Sequence, residues 1–115
     1  MTVQRGAILA LNGEFDVSQR DRLKVAFESV LGDSAVILDV TKTAFIDSTV
    51  LASLLRLRAE VIEGGGAFTI AGPSAMIGRL FQITGLDQLF DIRASVEDVE
   101  GSERFRRVEV VSDES

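Results

Sequence analysis

The chain has 115 residues, 46% of them hydrophobic, which suits one compact domain. It contains neither cysteine nor histidine, so disulfide frameworks, thiolate metal sites and Ser-His-Asp or Cys-His catalysis are excluded by inventory. A formal net charge of −6 disfavours nonspecific nucleic-acid binding, no apolar run reaches the ~20 residues of a membrane span, and the start lacks signal-peptide character, so a cytoplasmic protein is expected.

Residues 3 to 11, with Val3, Ala7, Ile8, Leu9, Ala10 and Leu11, read as a strand ended by Asn12-Gly13. From 17 to 31 the spacing of Leu23, Ala26, Phe27, Val30 and Leu31 gives one face of a helix, with Asp16 or Ser18 as cap and Gly32 as stop. Residues 35 to 40 are apolar on both faces, as a central strand covered on each side requires. Phe45-Ile46 then leads into a leucine-rich helix over 48 to 63, with Asp47 at the N-cap and Ser48 and Thr49 in the first turn. First-turn backbone N–H groups lack intrahelical partners and the dipole favours negative charge, so this terminus suits a phosphate, bound or covalently attached.

Gly64-Gly65-Gly66 follows a helix and precedes a strand, the reverse of a nucleotide loop, and reads as a C-cap and turn. Residues 67 to 71 form another short strand, Gly72-Pro73-Ser74 turns into a helix over 75 to 84, and Leu89-Phe90-Asp91-Ile92 is a last short strand. Residues 95 to 100 suggest a helix start broken by Gly101-Ser102; 105 to 111 read as a strand, and Ser112-Asp113-Glu114-Ser115 as a frayed end. Strand–helix alternation implies an α/β fold with a mostly parallel sheet. Chemistry in such sheets gathers beyond the carboxyl ends of the strands, so Asp16, Asp39, Asp47 and Ser48 are expected on one rim.

Gly13-Glu14-Phe15-Asp16, Val36-Ile37-Leu38-Asp39-Val40, Phe45-Ile46-Asp47-Ser48-Thr49, Thr69-Ile70-Ala71-Gly72-Pro73-Ser74 and Ile83-Thr84-Gly85-Leu86-Asp87-Gln88-Leu89-Phe90 follow one another in a distinctive order. With that order and spacing the chain resembles the STAS domain family, and within it the bacterial anti-sigma factor antagonists, over residues 6 to 93. The resemblance implies a single STAS-like α/β domain, a small mostly parallel central sheet with helices packed on it. It divides the chain into a STAS domain at 1–93 and a C-terminal extension at 94–115. Relatives carry an additional edge strand before the first strand here; 105–111 either pairs along a sheet edge in that role or is a mobile tail or partner contact.

In the antagonists the serine matching Ser48 is phosphorylated by the partner, an anti-sigma factor with serine kinase activity of the GHKL type. The unphosphorylated form binds that partner and frees the sigma factor, and a metal-dependent serine phosphatase resets the switch. The chain is then a substrate and not an enzyme, with no catalytic residue, cofactor or metal of its own. The implied partner surface is Asp16, Asp47, Ser48, Thr49, Val50 and Arg56, on the loop and exposed stripe of the central helix. The choice of Ser48 over Thr49 rests on the resemblance. Antagonists carry Gly where this chain has Val50, which places a β-branched side chain near the rim; Val50→Gly is expected to alter partner choice more than stability.

Arg58, Glu60 and Glu63 share the exposed stripe, and Arg79 and Gln82 extend it. Two alternatives stand beside the antagonist reading. One is a STAS module that is not phosphorylated and serves a signalling or lipid-transport complex. The other is a receiver-like site in which Asp16, Asp39 and Asp47 hold Mg²⁺ with Lys42 nearby.

Overall fold

The computed structural model describes residues 6–112. The strand start read at Val3 and the fraying read at Asp113-Glu114-Ser115 lie outside the described residues. Strand β1 (Gly6–Phe15) is the spine of the sheet: it pairs in parallel with three other strands. It does not end at Asn12-Gly13. Gly13 adopts a φ of 118°, and the pairing register slips between Gly13 and Glu14. The glycine therefore makes a bulge rather than a hairpin, and a Cβ there would collide with the Ser112 hydroxyl.

The expected helix at 17–31 begins with a 3-10 turn, Val17–Gln19, before helix α1 (Arg20–Val30). Asp16 caps that tight turn, and Val17 is 57% exposed rather than in the core. Strand β2 (Ala35–Asp39) follows, then a short turn and β3 (Thr43–Ile46), a strand the sequence reading did not anticipate. β2 pairs with residues 6–10 of β1, and β3 takes over at Gly13–Phe15, so the two run in succession along one neighbour. Helix α2 (Ser48–Glu63), strand β4 (Ala67–Ala71), helix α3 (Ala75–Ile83) and strand β5 (Asp91–Arg93) complete the alternation. The sheet runs β3-β1-β2-β4-β5, with every pairing parallel, as crossovers through helices dictate.

The three helices pack on one face. Leu23, Phe27, Leu54, Leu57, Ile77 and Phe81 meet the alternate strand residues Leu9, Leu11, Val36, Leu38 and Ile70 in one core. Phe90 stands between Phe68 and Phe81, with ring centroids 6.1 and 5.5 Å away. Met76 and Ile83, apolar residues of the expected α3, lie outside this core at 59% and 73% exposure.

The other sheet face is covered by chain from 95 to 105. A 3-10 turn, Val96–Asp98, stands where a helix start was expected, and a second, Ser102–Arg104, follows at the expected break. Val96, Val99 and Phe105 pack on Ile8, Ile37 and Ala71. The Phe105 ring lies so close to β1 that a Cβ on Gly6 would come within 2.5 Å of it. Strand β6 (Arg106–Val111) then pairs in parallel with β1 from Ala7 to Asn12. Ser112 is not frayed: it is buried, its N–H donates to the Asn12 carbonyl, and its hydroxyl accepts from the Glu14 N–H at 3.2 Å. Arg22 donates to the Val111 carbonyl at 2.6 Å, and Arg106 bridges to Asp33 at 2.7 Å.

Candidate functional site

β1 and β3 end side by side, and the loops that leave them are fastened to each other. The Asp47 N–H donates to the Phe15 carbonyl at 3.2 Å, and the Val17 N–H donates to Asp47 Oδ2 at 3.1 Å. Asp47 Oδ1 accepts the Val50 N–H at 2.9 Å, which is the N-cap bond of α2. One carboxylate thus satisfies an orphan donor of its own helix and clamps the preceding loop. Asp16 works locally. Its Oδ1 accepts from the Ser18 N–H at 2.8 Å and hydroxyl at 2.6 Å, while its own N–H donates to the Gln19 side chain, a capping box. Those two bonds, the hydroxyl first, hold the Asp16 carboxyl below its usual range.

Between these clamps stands Ser48, exposed, at the first position of α2. Among the described residues its hydroxyl makes no hydrogen bond. Thr49 is half-buried. Asp16, Asp47, Ser48 and Thr49 are therefore brought together, and Arg56 is exposed two turns further along the same helix. Val50 corrects the expected partner surface. It is 1% exposed and lies in the core with Leu54, Leu57 and Val61, so its side chain offers a partner no atoms.

Asp39 corrects the expected rim. Along β2 the side chains alternate: Val36 and Leu38 face the helices, Ile37 the opposite side, and Asp39 falls in phase with Ile37. Its Oδ2 meets the Arg107 guanidinium at 2.8 Å, and Oδ1 accepts from the Thr41 hydroxyl and N–H. Burial opposes its charge, but the Thr41 bonds and then Arg107 outweigh that and lower its pKa. Among the described residues no three acidic side chains converge as a metal site needs, so the Asp16–Asp39–Asp47 cation site is not formed.

A groove of about 700 Å³ runs from Ser48 between α1 and α2. Ser48, Thr49, Ala52, Ser53 and Arg56 form one wall, and Arg20, Asp21, Lys24 and Glu28 the other. The expected partner surface does not include these α1 charges. The four-residue steps Arg20-Lys24 and Ser48-Ala52-Arg56 are the signal that each set lies along one stripe. A larger hollow of about 1290 Å³ opens at the amino ends of the strands, by Gly6, Ala35 and Ala67, at the end of the sheet away from Ser48.

The STAS domain family model matches residues 1–99. Among solved structures, the chain is similar to a Thermotoga maritima protein with the proposed role of anti-sigma factor antagonist: TM-score 0.70 and 22% identity over 76% of this chain and 77% of that one. It is similar to the Bacillus cell fate determinant SpoIIAA in its phosphorylated form, with TM-score 0.66 and 20% identity over 85% and 90% of the two chains. The STAS domain of a SulP transporter from Vibrio cholerae gives TM-score 0.64 and 17% identity over 83% and 77%. No helix among the described residues is long and apolar enough to cross a membrane.

Proposed function

The chain belongs to the STAS domain family, and we propose that it is an anti-sigma factor antagonist switched by phosphorylation of Ser48. The observation that carries this reading is the Ser48 hydroxyl: exposed, without a partner among the described residues, and presented by a helix start that Asp47 fixes to the neighbouring loop. Unphosphorylated, the rim binds an anti-sigma factor that is also a GHKL-type serine kinase, with Asp16, Asp47, Ser48, Thr49 and Arg56 at the contact. The kinase transfers the γ-phosphoryl group of ATP to Ser48 Oγ. The new O–P bond replaces the bond to ADP, and a carboxylate of the kinase takes the hydroxyl proton. This chain lacks histidine to activate the serine, which accords with a base supplied by the partner.

The phosphoryl group adds about −1.5 to −2 charges at neutral pH beside Asp47 and Asp16. A docked surface would then face repulsion and desolvation, and release needs no refolding of the switch. A metal-dependent phosphatase restores the hydroxyl. Residues 1–93 are taken as the STAS domain and 94–115 as an extension whose strand β6 lies along β1. The protein is placed in the cytoplasm, where kinase, ATP and sigma factor meet.

Incubation with ATP and a GHKL-type anti-sigma kinase, followed by mass spectrometry, is expected to place one phosphate on Ser48. Ser48→Ala is expected to block it. Phosphate on Thr49 or elsewhere would overturn the assignment. The likeness to a transporter STAS domain favours a second reading, an unphosphorylated module in a membrane transport complex. Co-purification with a transporter, with no phosphate on the protein isolated from its own cells, would select it.

A further inference from the structure

The walls of the α1–α2 groove carry cations without ion-pair partners among the described residues. Arg93 and Arg107 are engaged in ion pairs on the sheet's other side, and Arg106 pairs with Asp33 beyond the end of α1. The side chains of Arg20, Lys24 and Arg56 form none, and make no hydrogen bond, among the described residues. All three line the same groove as Ser48.

We propose that this groove is a phosphoryl-binding site that receives the phosphate carried on Ser48, held by Arg20, Lys24 and Arg56. The inference rests on the proposed phosphorylation and adds where the phosphate goes. α1 and α2 each start after a strand of one parallel sheet, so their amino ends share one rim. Arg20 is the first residue of α1 and Ser48 the first of α2. Helical side chains lean toward the amino end, which brings Lys24 and Arg56 back toward Ser48. Arg56 lies about 12 Å along the axis from Ser48, a gap that an extended arginine and a phosphoserine span together. Ala52, between them on the stripe, is exposed and small, so no large side chain blocks the path.

The counter-charges are distributed to match. Of the acids that line the groove, Glu28 and Glu60 lie further along both helices and Asp21 joins the cations near the rim; Asp47 and Asp16 beside Ser48 are held by backbone N–H groups. A dianion needs more than one cation, and three are at hand. Capture would also withdraw Arg56 from the surface proposed to meet the partner. Phosphorylation then both adds a negative group and removes a positive one from the docking face.

The test uses the full chain with phosphoserine placed at position 48 by codon reassignment, so no kinase is involved. Phosphorus NMR across pH follows the second ionisation of the phosphate, which lies near ~6 for the free group. Cations within contact distance are expected to lower it by about one unit. In Arg20→Gln/Arg56→Gln, and to a smaller extent in Lys24→Gln, the titration is expected to return toward ~6. Amide spectra of the same samples establish that the variants are folded. Coincident titration curves for the parent and the double variant would overturn the site, even if both were shifted, because the helix terminus alone would then account for the shift. A failed kinase reaction would count against the proposed function without touching this result.

Discussion

The rim around Ser48 and the sheet face behind it use the same residue types and treat them in opposite ways. At the rim, Asp47 uses both carboxylate oxygens on backbone N–H groups, while the side chains of Ser48, Arg20, Lys24 and Arg56 have no partner among the described residues. Behind the sheet, Asp39 is engaged by Thr41 and Arg107, Arg107 also meets Glu109 at 2.9 Å, and Phe105 seals Ile8 and Ile37. The difference is between a fixed backbone carrying unpaired side chains and a network in which Asp39, Arg107 and Glu109 hold one another. Only the first is suited to exchange one partner for another, because nothing internal must break when a phosphate or a protein arrives. Perturbing the back should therefore change whether the protein folds, and perturbing the rim should change what it binds.

The largest effect is expected from removing residues 94–115. That deletion strips β6 from Ala7–Asn12 of β1 and uncovers Ile8, Ile37 and Ala71, leaving an open apolar edge and face. Loss of a cooperative urea transition, with aggregation, is the expected outcome. A truncated chain that unfolds like the parent would make the extension dispensable and weaken the contrast. Next comes Val50→Gly. Val50 stands next to the rim in sequence but belongs to the core, and losing its buried side chain from a helix should cost about 2–3 kcal/mol by urea unfolding. An unchanged midpoint with altered partner affinity would return Val50 to the contact surface.

Arg107→Ala is expected to cost less, about 1 kcal/mol at neutral pH, because the guanidinium is partly exposed and Thr41 still bonds Asp39. Its sharper signature is pH dependence. The folded-state pKa of Asp39 is depressed, so its contribution is complete above the ordinary carboxylate value and is lost as pH falls through the lower folded value. Without Arg107 one of the causes of the depression is gone, so the acid-side loss should be smaller and complete at a higher pH. Urea midpoints measured from neutral into the acid range would show it. Parallel acid profiles for parent and variant would mean that Thr41 alone holds Asp39.

How far the sequence could be read follows the same division. Helix α2 was legible from both ends, because Asp47 and Gly64-Gly65-Gly66 signal locally and the cap bond to the Val50 N–H spans only three residues. The burial of Val50 was also written in the spacing 50, 54, 57 and 61, one face of the helix, although proximity to Ser48 suggested otherwise. What escaped depends on distant chain. Asn12-Gly13 has the composition of a hairpin turn, but the strand is carried through by pairing with β3 and by Ser112 seated against Gly13. β3 itself shows no alternation, since Ala44 and Phe45 are both exposed. Asp39 ends its strand as Asp47 ends the next segment, but its carboxylate is taken up on the sheet's other side by Thr41 and by Arg107, 68 residues away.

The smallest effect on stability is expected at the residue proposed to matter most. Ser48→Ala removes a hydroxyl that bonds to nothing among the described residues and replaces it with a better helix former, so the urea midpoint should move by no more than about 0.5 kcal/mol. The same change is expected to abolish phosphorylation entirely while leaving partner binding by the unmodified surface close to the parent. That dissociation is what an open group on a fixed frame requires. If Ser48→Ala instead destabilised the chain by as much as Val50→Gly, the hydroxyl would be part of the frame, and the distinction between rim and sheet face would not hold.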